Sequence, residues 1–275
     1  MISMIFRKFG AEMLALLLMT LSLFSVEPAA GQADSSWSFG ADVKTGFGNA
    51  GHILSAPLRF SGEDWLITSA VVGGTALCFA VDEPARTYMQ EHQSGFGDAV
   101  NSFGQQYGSG LNAMLLSGAL YAGGAAAGNA GLRETGMMTF ESVAIAGSVG
   151  LVLKVVIGRS RPYADEGAFR FSGFEFQDPF VSMPSGHTIV AFAMSSTLAA
   201  RLRSLPATIG LYSLATLTAA SRVYADQHWV SDTVLGAAIG TAVGLAVVDL
   251  HKESDSGTSF RFMPTPQGLA VGMTF

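Results

Sequence analysis

Apolar stretches without charged residues recur along the chain from about residue 65 onwards. Six of them are apparent, at 65–81, 111–132, 142–153, 188–200, 205–221 and 233–248. Their length favours helices over strands, and Pro206 suits the first turn of the fifth. The triplet Asp82-Glu83-Pro84 is expected to end the first of them. The pattern therefore predicts an all-α fold, a bundle of helices.

Whether these helices cross a bilayer depends first on their length, because a spanning helix needs about 20 apolar residues. Only the segment at 111–132 clearly reaches that length. The segments are rich in Gly, Ala, Ser and Thr, which suits close packing either in a membrane or in a soluble bundle. We expect a membrane-associated or membrane-embedded bundle, with a soluble bundle as the alternative.

The composition agrees with a membrane location. Hydrophobic residues make up 49% of the chain, the mean hydropathy is +0.38, and charged residues make up 13%. That charged share is about half of what a soluble domain usually has. The net charge of -6, without a basic cluster, argues against nucleic acid as a partner. The single cysteine, Cys78, excludes an internal disulfide.

Two features predict where the protein resides. Residues 1–33 have the pattern of an export signal, with a basic pair before an apolar run and small residues at 31–33. An uncleaved N-terminal anchor is the alternative. Four basic residues are expected at the end of the bundle opposite the polar motifs: Arg201, Arg203, His251 and Lys252. The positive-inside rule then places those motifs on the periplasmic side.

The regions that flank the bundle carry β patterns. The bundle is expected to occupy 64–252, after an N-terminal extension at 34–63. Apolar residues alternate from 37 to 43, which predicts a strand. In the tail at 253–275, alternation around a turn at 264–268 predicts a β hairpin. Because one hairpin alone is marginal in water, we expect the three strands to form a small antiparallel sheet.

The polar stretch at 221–232 carries candidate catalytic chemistry. A helix that starts near Asp226 would place His228 and Asp232 one turn apart on one face. The carboxylate would then fix the imidazole tautomer and leave the other ring nitrogen free to attack. Arg222 is expected to end the preceding helix and return to the site as a cation for an anionic substrate. A polar loop between helices is the alternative.

A second stretch places two cations near the end of an apolar helix. Lys154 and Arg161 lie seven residues apart, which is two helical turns, so both can point to one side. Pro162 is expected to stop the helix after them. The alternative is a solvated helix end or an anchor at the membrane interface.

A third stretch, Pro184-Ser185-Gly186-His187, opens another helix. Ser185 can cap this helix, and Gly186 lets the backbone approach a ligand closely. The free amides of the first turn and the helix dipole favour an anion there, beside His187. A histidine with no function is the alternative.

In this order, the three motifs resemble the three-part signature of the type 2 phosphatidic acid phosphatase and vanadium haloperoxidase superfamily. They run from Lys154 through Arg161-Pro162 and the Ser185-Gly186-His187 stretch to Asp232, and every signature position is filled. The helix-rich context extends the resemblance from 65 to 248. It does not cover the residues before 63 or after 252.

The resemblance implies an all-helical bundle and a phosphatase that needs no metal or other cofactor. It implies that His228 attacks phosphorus to form a phosphohistidine and that Asp232 orients His228. His187 would protonate the leaving oxygen and later activate water. The non-bridging phosphate oxygens would be bound by five residues: Lys154, Arg161, Ser185, Gly186 and Arg222. Positioned groups of this kind stabilise the charge of a phosphoryl-transfer transition state.

We therefore expect a phosphatase of the bacterial envelope that acts on a phosphomonoester or pyrophosphate, above all of a lipid or isoprenoid. Three alternatives remain: a soluble periplasmic acid phosphatase of broad specificity, a vanadate-dependent haloperoxidase, and a non-catalytic membrane binding or scaffold protein. Neither the particular substrate nor the oligomeric state follows from the sequence.

The loop at 163–183 joins two of the motifs and is unusually aromatic. It carries five phenylalanines interspersed with four acidic residues. Such a loop either acts as a lid or acyl-chain contact beside the site, or folds its rings onto the bundle.

Overall fold

The computed structural model describes residues 38–255, 259–265 and 268–274. Its α-helices are α1 (Phe39–Leu54), α2 (Gly62–Glu91), α3 (Gly95–Tyr107), α4 (Gly110–Ala127), α5 (Ala130–Ile157), α6 (Gly186–Leu202), α7 (Leu205–Tyr224) and α8 (Val230–Asp255). Short 3-10 turns lie at Ala56–Arg59 and Pro162–Ala164. The predicted all-α bundle is confirmed. The expected signal segment at 1–33 lies outside the described residues.

Helix α6 forms the centre of the bundle. It packs against α5, α7 and α8, and most of its residues are buried. Small residues allow this close packing: a Cβ on Gly240 of α8 would lie 2.5 Å from the Ile189 carbonyl oxygen of α6. Both α6 and α8 begin at the same end of the bundle, where the Ser185 amide donates to the Asp232 carbonyl oxygen at 3.0 Å.

The apolar segment at 111–132 does not form one long helix as expected. Gly128 adopts a left-handed conformation with a φ of 64° and ends α4, a position that glycine occupies without strain. Asn129 then caps α5, its side chain accepting from the Leu132 amide at 2.9 Å. The two helices form a hairpin with close backbone contact, since a Cβ on Gly136 would lie 2.4 Å from the Tyr121 nitrogen.

Helix α2 continues past the triplet that was expected to end it. It runs on to Glu91 with Pro84 inside. Asp82 is fully buried, and its carboxylate accepts hydrogen bonds from the Ser231 amide (2.9 Å) and hydroxyl (2.6 Å). These tertiary bonds hold this part of α2 in place although Pro84 lacks a backbone donor. The prediction that Asp82-Glu83-Pro84 ends the helix was therefore wrong.

The strand predicted at 37–43 is also wrong for its described residues, which belong to α1. Ser38 caps this helix, its hydroxyl accepting from the Ala41 amide at 3.2 Å. The apolar residues Phe39, Val43 and Phe47 recur every four residues, and they line a cavity of about 450 Å³ between α1, α4 and α5. The helical period therefore prevails over the short alternation. A sheet of three strands is excluded.

Two strands, β1 (Ser259–Thr265) and β2 (Gly268–Thr274), follow the bundle. Their backbones pair antiparallel, with Ser259 opposite Thr274 and Thr265 opposite Gly268. The residues between them, at 266–267, lie outside the described part of the chain. The complete C-terminal hairpin therefore stays a prediction.

Three helices in the described part of the chain are long and apolar enough to cross a bilayer: α2, α5 and residues 230–252 of α8. Helix α2 is the most exposed of them, with Trp65, Leu66 and Leu77 more than half exposed. Such a broad apolar face favours lipid over water. The segment expected to be the longest span, 111–132, is the one that Gly128 interrupts.

Candidate active site

The three motifs converge at one end of the bundle. Lys154 lies in the last turn of α5, and His187 lies in the first turn of α6. Arg222 lies in the last turn of α7, and the loop after it leads through His228 to the start of α8. Since the helix directions alternate, residues far apart in sequence meet at this end.

Lys154 is fixed by the backbone in front of α6. Its Nζ donates to the carbonyl oxygens of Val181 (2.5 Å) and Ser182 (3.1 Å). Helix α5 ends at Ile157, earlier than expected, because Gly158 adopts a left-handed φ of 58°. Gly158 is also crowded, since a Cβ there would lie 1.8 Å from the Ser172 carbonyl oxygen. The helix therefore ends before Pro162 is reached.

Arg161 reaches the site from a loop and not from the helix that carries Lys154. Its Nη1 donates to Gln227 Oε1 at 2.8 Å, and its Nε lies 3.0 Å from Asp178 Oδ1. Its backbone amide donates to the Pro179 carbonyl oxygen at 3.0 Å. The guanidinium is partly exposed and lies next to the residue that precedes His228. The structure thus brings Lys154 and Arg161 to one side by a different route from the one predicted.

Ser185 stands at the N-cap position of α6, as predicted. Its hydroxyl accepts from Thr188 Oγ1 at 3.0 Å and makes no capping bond to a backbone amide of the helix. Amides of the first turn therefore stay available for an anion. A Cβ on Gly186 would lie 3.8 Å from Lys154 Cε, an ordinary contact. Gly186 and the Lys154 side chain are therefore neighbours in the candidate phosphate-binding cradle, which consists of Lys154, Arg161, Ser185, Gly186 and Arg222.

Arg222 is buried and held by a residue outside the three motifs. Its Nη2 donates to Asn101 Oδ1 in α3, and its Nε donates to Ser221 Oγ at 3.2 Å. Burial, and then the charge of Arg161, lower the pKa of Arg222 to about 10. The sequence offered no signal for Asn101, because the contact joins positions 121 residues apart.

Glycine permits the close approach of the α3–α4 corner to the site. A Cβ on Gly108 would lie 2.7 Å from the His187 carbonyl oxygen and 2.8 Å from His187 Cβ. The same atom would lie 2.8 Å from Thr218 Cγ2 of α7. This corner therefore supports the first turn of α6 from outside the motifs.

His228 and Asp232 are neighbours, but they do not lie on one helix. Asp226 is not the N-cap: it has a left-handed φ of 58° and an ion pair with Arg86 at 2.7 Å. Helix α8 begins at Val230, and Asp232 Oδ2 accepts from the Trp229 amide at 2.9 Å. His228 Nδ1 lies 3.6 Å from Asp232 Oδ2. Such contacts often shorten only when substrate binds.

The two histidines are neutral in the free site. Burial lowers the pKa of His228 to about 3, although the Asp232 carboxylate opposes this shift. Burial, together with the charges of Arg222, Arg161 and Lys154, lowers the pKa of His187 to about 4. A neutral imidazole retains the lone pair that a nucleophile needs. A bound dianion would offset the cations and favour a proton on His187.

Two buried ionic residues near the site were not predicted. Arg159 lies two residues before Arg161 and binds both Asp82 and Asp232 at 2.7 Å. The sequence offered little signal for them, because Asp82 directly follows the apolar stretch at 65–81 and Arg159 stands between the two cations of the second motif.

The aromatic loop at 163–183 divides between the two expected roles. Phe169 and Phe171 pack on Phe79 of α2, with ring centroids 5.4 Å and 6.3 Å away. Phe174 and Phe176 are 75% and 76% exposed. Phe174 has a φ of 62°, and its amide donates to the Val155 carbonyl oxygen at 2.7 Å. The backbone thus holds this ring outwards in a conformation that a bulky residue rarely adopts.

The family comparison agrees with this arrangement. Residues 136–255 match the family model of the PAP2 superfamily. This matched part of the chain contains all eight predicted site residues and is similar to that superfamily.

Particular relatives include curated lipid A 1-phosphatases. That of Rhizobium etli is 33% identical over 140 residues, which cover 49% of this chain and 57% of the relative. That of Porphyromonas gingivalis is 33% identical over 97 residues, or 34% of this chain and 22% of the relative. The chain thus spans little more than half the length of the first and about a fifth of the second. A crystal structure of a transmembrane PAP2 type phosphatidylglycerolphosphate phosphatase from Bacillus subtilis is similar with a TM-score of 0.49, 21% identity and coverage of 77% of this chain and 96% of that one.

Proposed function

We propose that this protein is a lipid phosphatase that forms a phosphohistidine on His228. One observation carries the proposal: three cations and two neutral histidines meet at one end of a bundle whose helices suit a membrane. The curated relatives, which are lipid A 1-phosphatases, support a phosphorylated lipid as substrate. A phosphomonoester of a glycolipid is therefore the leading candidate, ahead of an isoprenyl pyrophosphate.

In the first step, the phosphate lies among the cations and the first-turn amides of α6. The ring nitrogen of His228 that faces away from Asp232 attacks phosphorus while the bond from phosphorus to the lipid oxygen breaks. His187 gives its proton to that oxygen, which leaves as an alcohol. Asp232 stabilises the positive charge that His228 acquires.

In the second step, His187 takes a proton from water, and the resulting hydroxide attacks the phosphohistidine. The bond from nitrogen to phosphorus breaks, inorganic phosphate leaves, and His228 returns to the neutral form. Three cations hold the equatorial oxygens in both steps: Lys154, Arg161 and Arg222. Their contribution is electrostatic, because phosphoryl transfer asks mainly for positioning and charge stabilisation.

The orientation in the membrane belongs to the same proposal. Arg201 and Arg203 lie at the C-terminal end of α6, and His251 and Lys252 lie near that of α8. The site lies at the opposite, N-terminal end of both helices. The positive-inside rule supports a site that faces the periplasm.

Phosphate release by the full chain in detergent micelles tests the function. The substrates are lipid A, phosphatidate, phosphatidylglycerophosphate, an isoprenyl pyrophosphate and a soluble aryl phosphate, each with EDTA present. We expect release from at least one lipid, and a phosphohistidine that is labile to acid and stable to alkali. No release from any of these substrates, or release that EDTA abolishes, would contradict the proposal.

A further inference from the structure

Arg159 is 0% exposed and lies between two carboxylates that come from different helices. Its Nη2 donates to Asp82 Oδ2 in α2 at 2.7 Å, and its Nη1 donates to Asp232 Oδ1 in α8 at 2.7 Å. Ser231 Oγ accepts a further bond from Nη1 at 2.6 Å. Nε and Nη2 both donate to the Ala168 carbonyl oxygen. The guanidinium is thus fully used and cannot bind substrate.

The bond from Arg159 decides which oxygen of Asp232 faces the nucleophile. Oδ1 is taken by Arg159, whereas Oδ2 accepts from the Trp229 amide at 2.9 Å and from Ser182 Oγ at 2.5 Å. The same Oδ2 lies 3.6 Å from His228 Nδ1. With its partners fixed on both sides, the carboxylate cannot rotate away from the imidazole.

Asp82 changes the charge of this group. Arg159 and Asp232 alone would form a neutral pair, and His228 would face no net charge when it becomes positive. Asp82, also 0% exposed, adds a second carboxylate, so the three residues carry one net negative charge. In a buried site such a charge is poorly screened and acts strongly on its neighbours.

Aromatic rings enclose the arginine and exclude water. The Arg159 guanidinium lies 4.2 Å from the ring centroid of Phe79 and 5.3 Å from that of Trp229. Cations stack favourably on such faces, which keeps the guanidinium in one plane. The orientation of Asp232 is thereby tied to α2, a helix outside the three motifs.

We propose that Asp82 and Arg159 are positioning residues of the phosphoryl-transfer reaction. Arg159 aims Asp232 at His228, and Asp82 offsets the charge of Arg159 so that the Asp232 charge still acts on the histidine. This inference rests on the proposed function, because it gives the two residues a role in the formation of the phosphohistidine.

The test is the rate of phosphohistidine formation, read as the burst of nitrophenol from an aryl phosphate in micelles. Asp82→Asn keeps the shape of the side chain but removes its charge, so the net charge of residues 82, 159 and 232 becomes zero. We expect a burst rate lower by about 10- to 100-fold, with KM changed by less than about threefold, because the interaction is made in the transition state. Glu141→Gln is the control: Glu141 is also buried, about 20 Å before Lys154 along α5.

The double variant Asp82→Asn/Arg159→Gln distinguishes an electrostatic role from a merely structural one. Positions 82 and 159 are then both neutral, so Asp232 alone gives the three positions one net negative charge again. We expect its burst to be at least about fivefold faster than that of Asp82→Asn, since charge and not volume is restored. A double variant no faster than the single one, or a burst unchanged in Asp82→Asn, would overturn the inference.

If Asp82→Asn yields no folded protein, the double variant carries the test, since removing both partners of a buried pair is less costly than removing one. A burst about five- to thirtyfold slower than that of the wild type then supports the inference, whereas a burst as fast as the wild type, or one slower than this range, overturns it. A wild type that forms no phosphohistidine would instead contradict the proposed function.

Discussion

Arg159 and Arg161 stand two residues apart, yet they belong to two different kinds of polar region. Arg159 uses its donors for protein acceptors and is 0% exposed. Arg161 is partly exposed and has side-chain partners on two loops, Gln227 and the 57% exposed Asp178. A cation whose partners are all buried holds other residues in place. A cation whose partners are loop side chains can exchange one of them for a phosphate oxygen.

Mutations in the phosphate-binding cradle and in the buried group of Asp82, Arg159 and Asp232 should therefore have different effects. The cradle should lose turnover while the fold persists. The buried group should lose folded protein when its charges are left unmatched. The five predictions that follow test this distinction, beginning with the largest effect.

In the proposed mechanism, His228→Ala removes the atom that bonds to phosphorus. We expect turnover to fall by at least about 10⁴-fold on every substrate, with no phosphoenzyme, because no other group replaces a nucleophile at this position. Turnover and trapped phosphohistidine are the measurements. His92→Ala, a change of an exposed histidine, is the control. A phosphoenzyme in His228→Ala would refute the assignment.

Arg161→Ala and Arg159→Met should differ in kind. Arg161→Ala removes the partly exposed cation and should lower kcat/KM by about 10²- to 10³-fold with an unchanged melting temperature. Loss of the buried cation should lower the free energy of unfolding by about 3–5 kcal/mol, since two buried carboxylates lose their partner. Activity assays and thermal unfolding in micelles measure the two effects, with the exposed Arg170→Ala as control. Equal destabilisation by both changes would remove the distinction.

His187→Ala should discriminate between substrates by their leaving group. An alkyl or glyceryl oxygen needs a proton to leave, whereas a nitrophenolate leaves unaided. We expect a loss of about 10²-fold in the first step on a lipid and less than about tenfold on the aryl ester. The measurements are the nitrophenol burst and the trapped phosphohistidine, because the proposed mechanism also uses His187 in the second step. Equal losses would leave His187 only a binding role.

The lowered pKa values of His228 and His187 in the free site predict how kcat/KM for a short-chain alkyl phosphate depends on pH. His228 and His187, with pKa values of about 3 and 4, stay neutral above pH 4. The proton for the leaving group then arrives with the substrate monoanion, whose own pKa is about 6. We expect kcat/KM to be highest between about pH 4 and 6 and to fall about tenfold per pH unit above pH 6.

Recovery of activity after return from pH 4 to pH 6 controls for unfolding. If kcat/KM instead fell on the acid side near pH 6.5, at least one histidine would have its ordinary pKa in the free site. The charge balance inferred for the cradle would then be incorrect.

Asp178→Asn should have the smallest effect, and in the favourable direction. Asp178 lies 3.0 Å from Arg161 and competes with phosphate for it. An exposed ion pair contributes little, so its removal should lower the inhibition constant of inorganic phosphate by about two- to fivefold. Glu175→Gln makes the same change of charge on the same loop and serves as control. Weaker phosphate binding would show that Asp178 holds Arg161 in position.

Much of the site follows from the sequence because its chemistry is local. The spacing of Lys154, Arg161, His187 and His228 is enough to place cations and histidines at helix ends. Their routes to the site were less predictable. Gly158 ends α5 early, and Asp226 takes a left-handed turn where a cap was expected. Turn chemistry at single residues decided both outcomes.

The parts that the sequence concealed depend on distant partners. Asp82 looks like a helix-ending acid until Arg159 and Ser231 are seen beside it. Asn101 lacks any local pattern, since its role is set by Arg222. The segment at 37–43 satisfies two periods at once, and only its continuation to Leu54 selects the helix. Prediction from this sequence therefore fails where a segment is too short to show one period, and where a residue's role depends on a partner that is distant in sequence.

Gly108 has a consequence for how the site tolerates sequence change. Its φ of -86° is ordinary, so any residue could adopt the backbone conformation. The restriction is one of space, because a methyl group there would press on the first turn of α6 at His187. A shift of about 1 Å in a catalytic group can cost about 10²-fold in rate. A side chain at this corner is therefore expected to slow the proton transfer proposed for His187, although position 108 lies outside the three motifs.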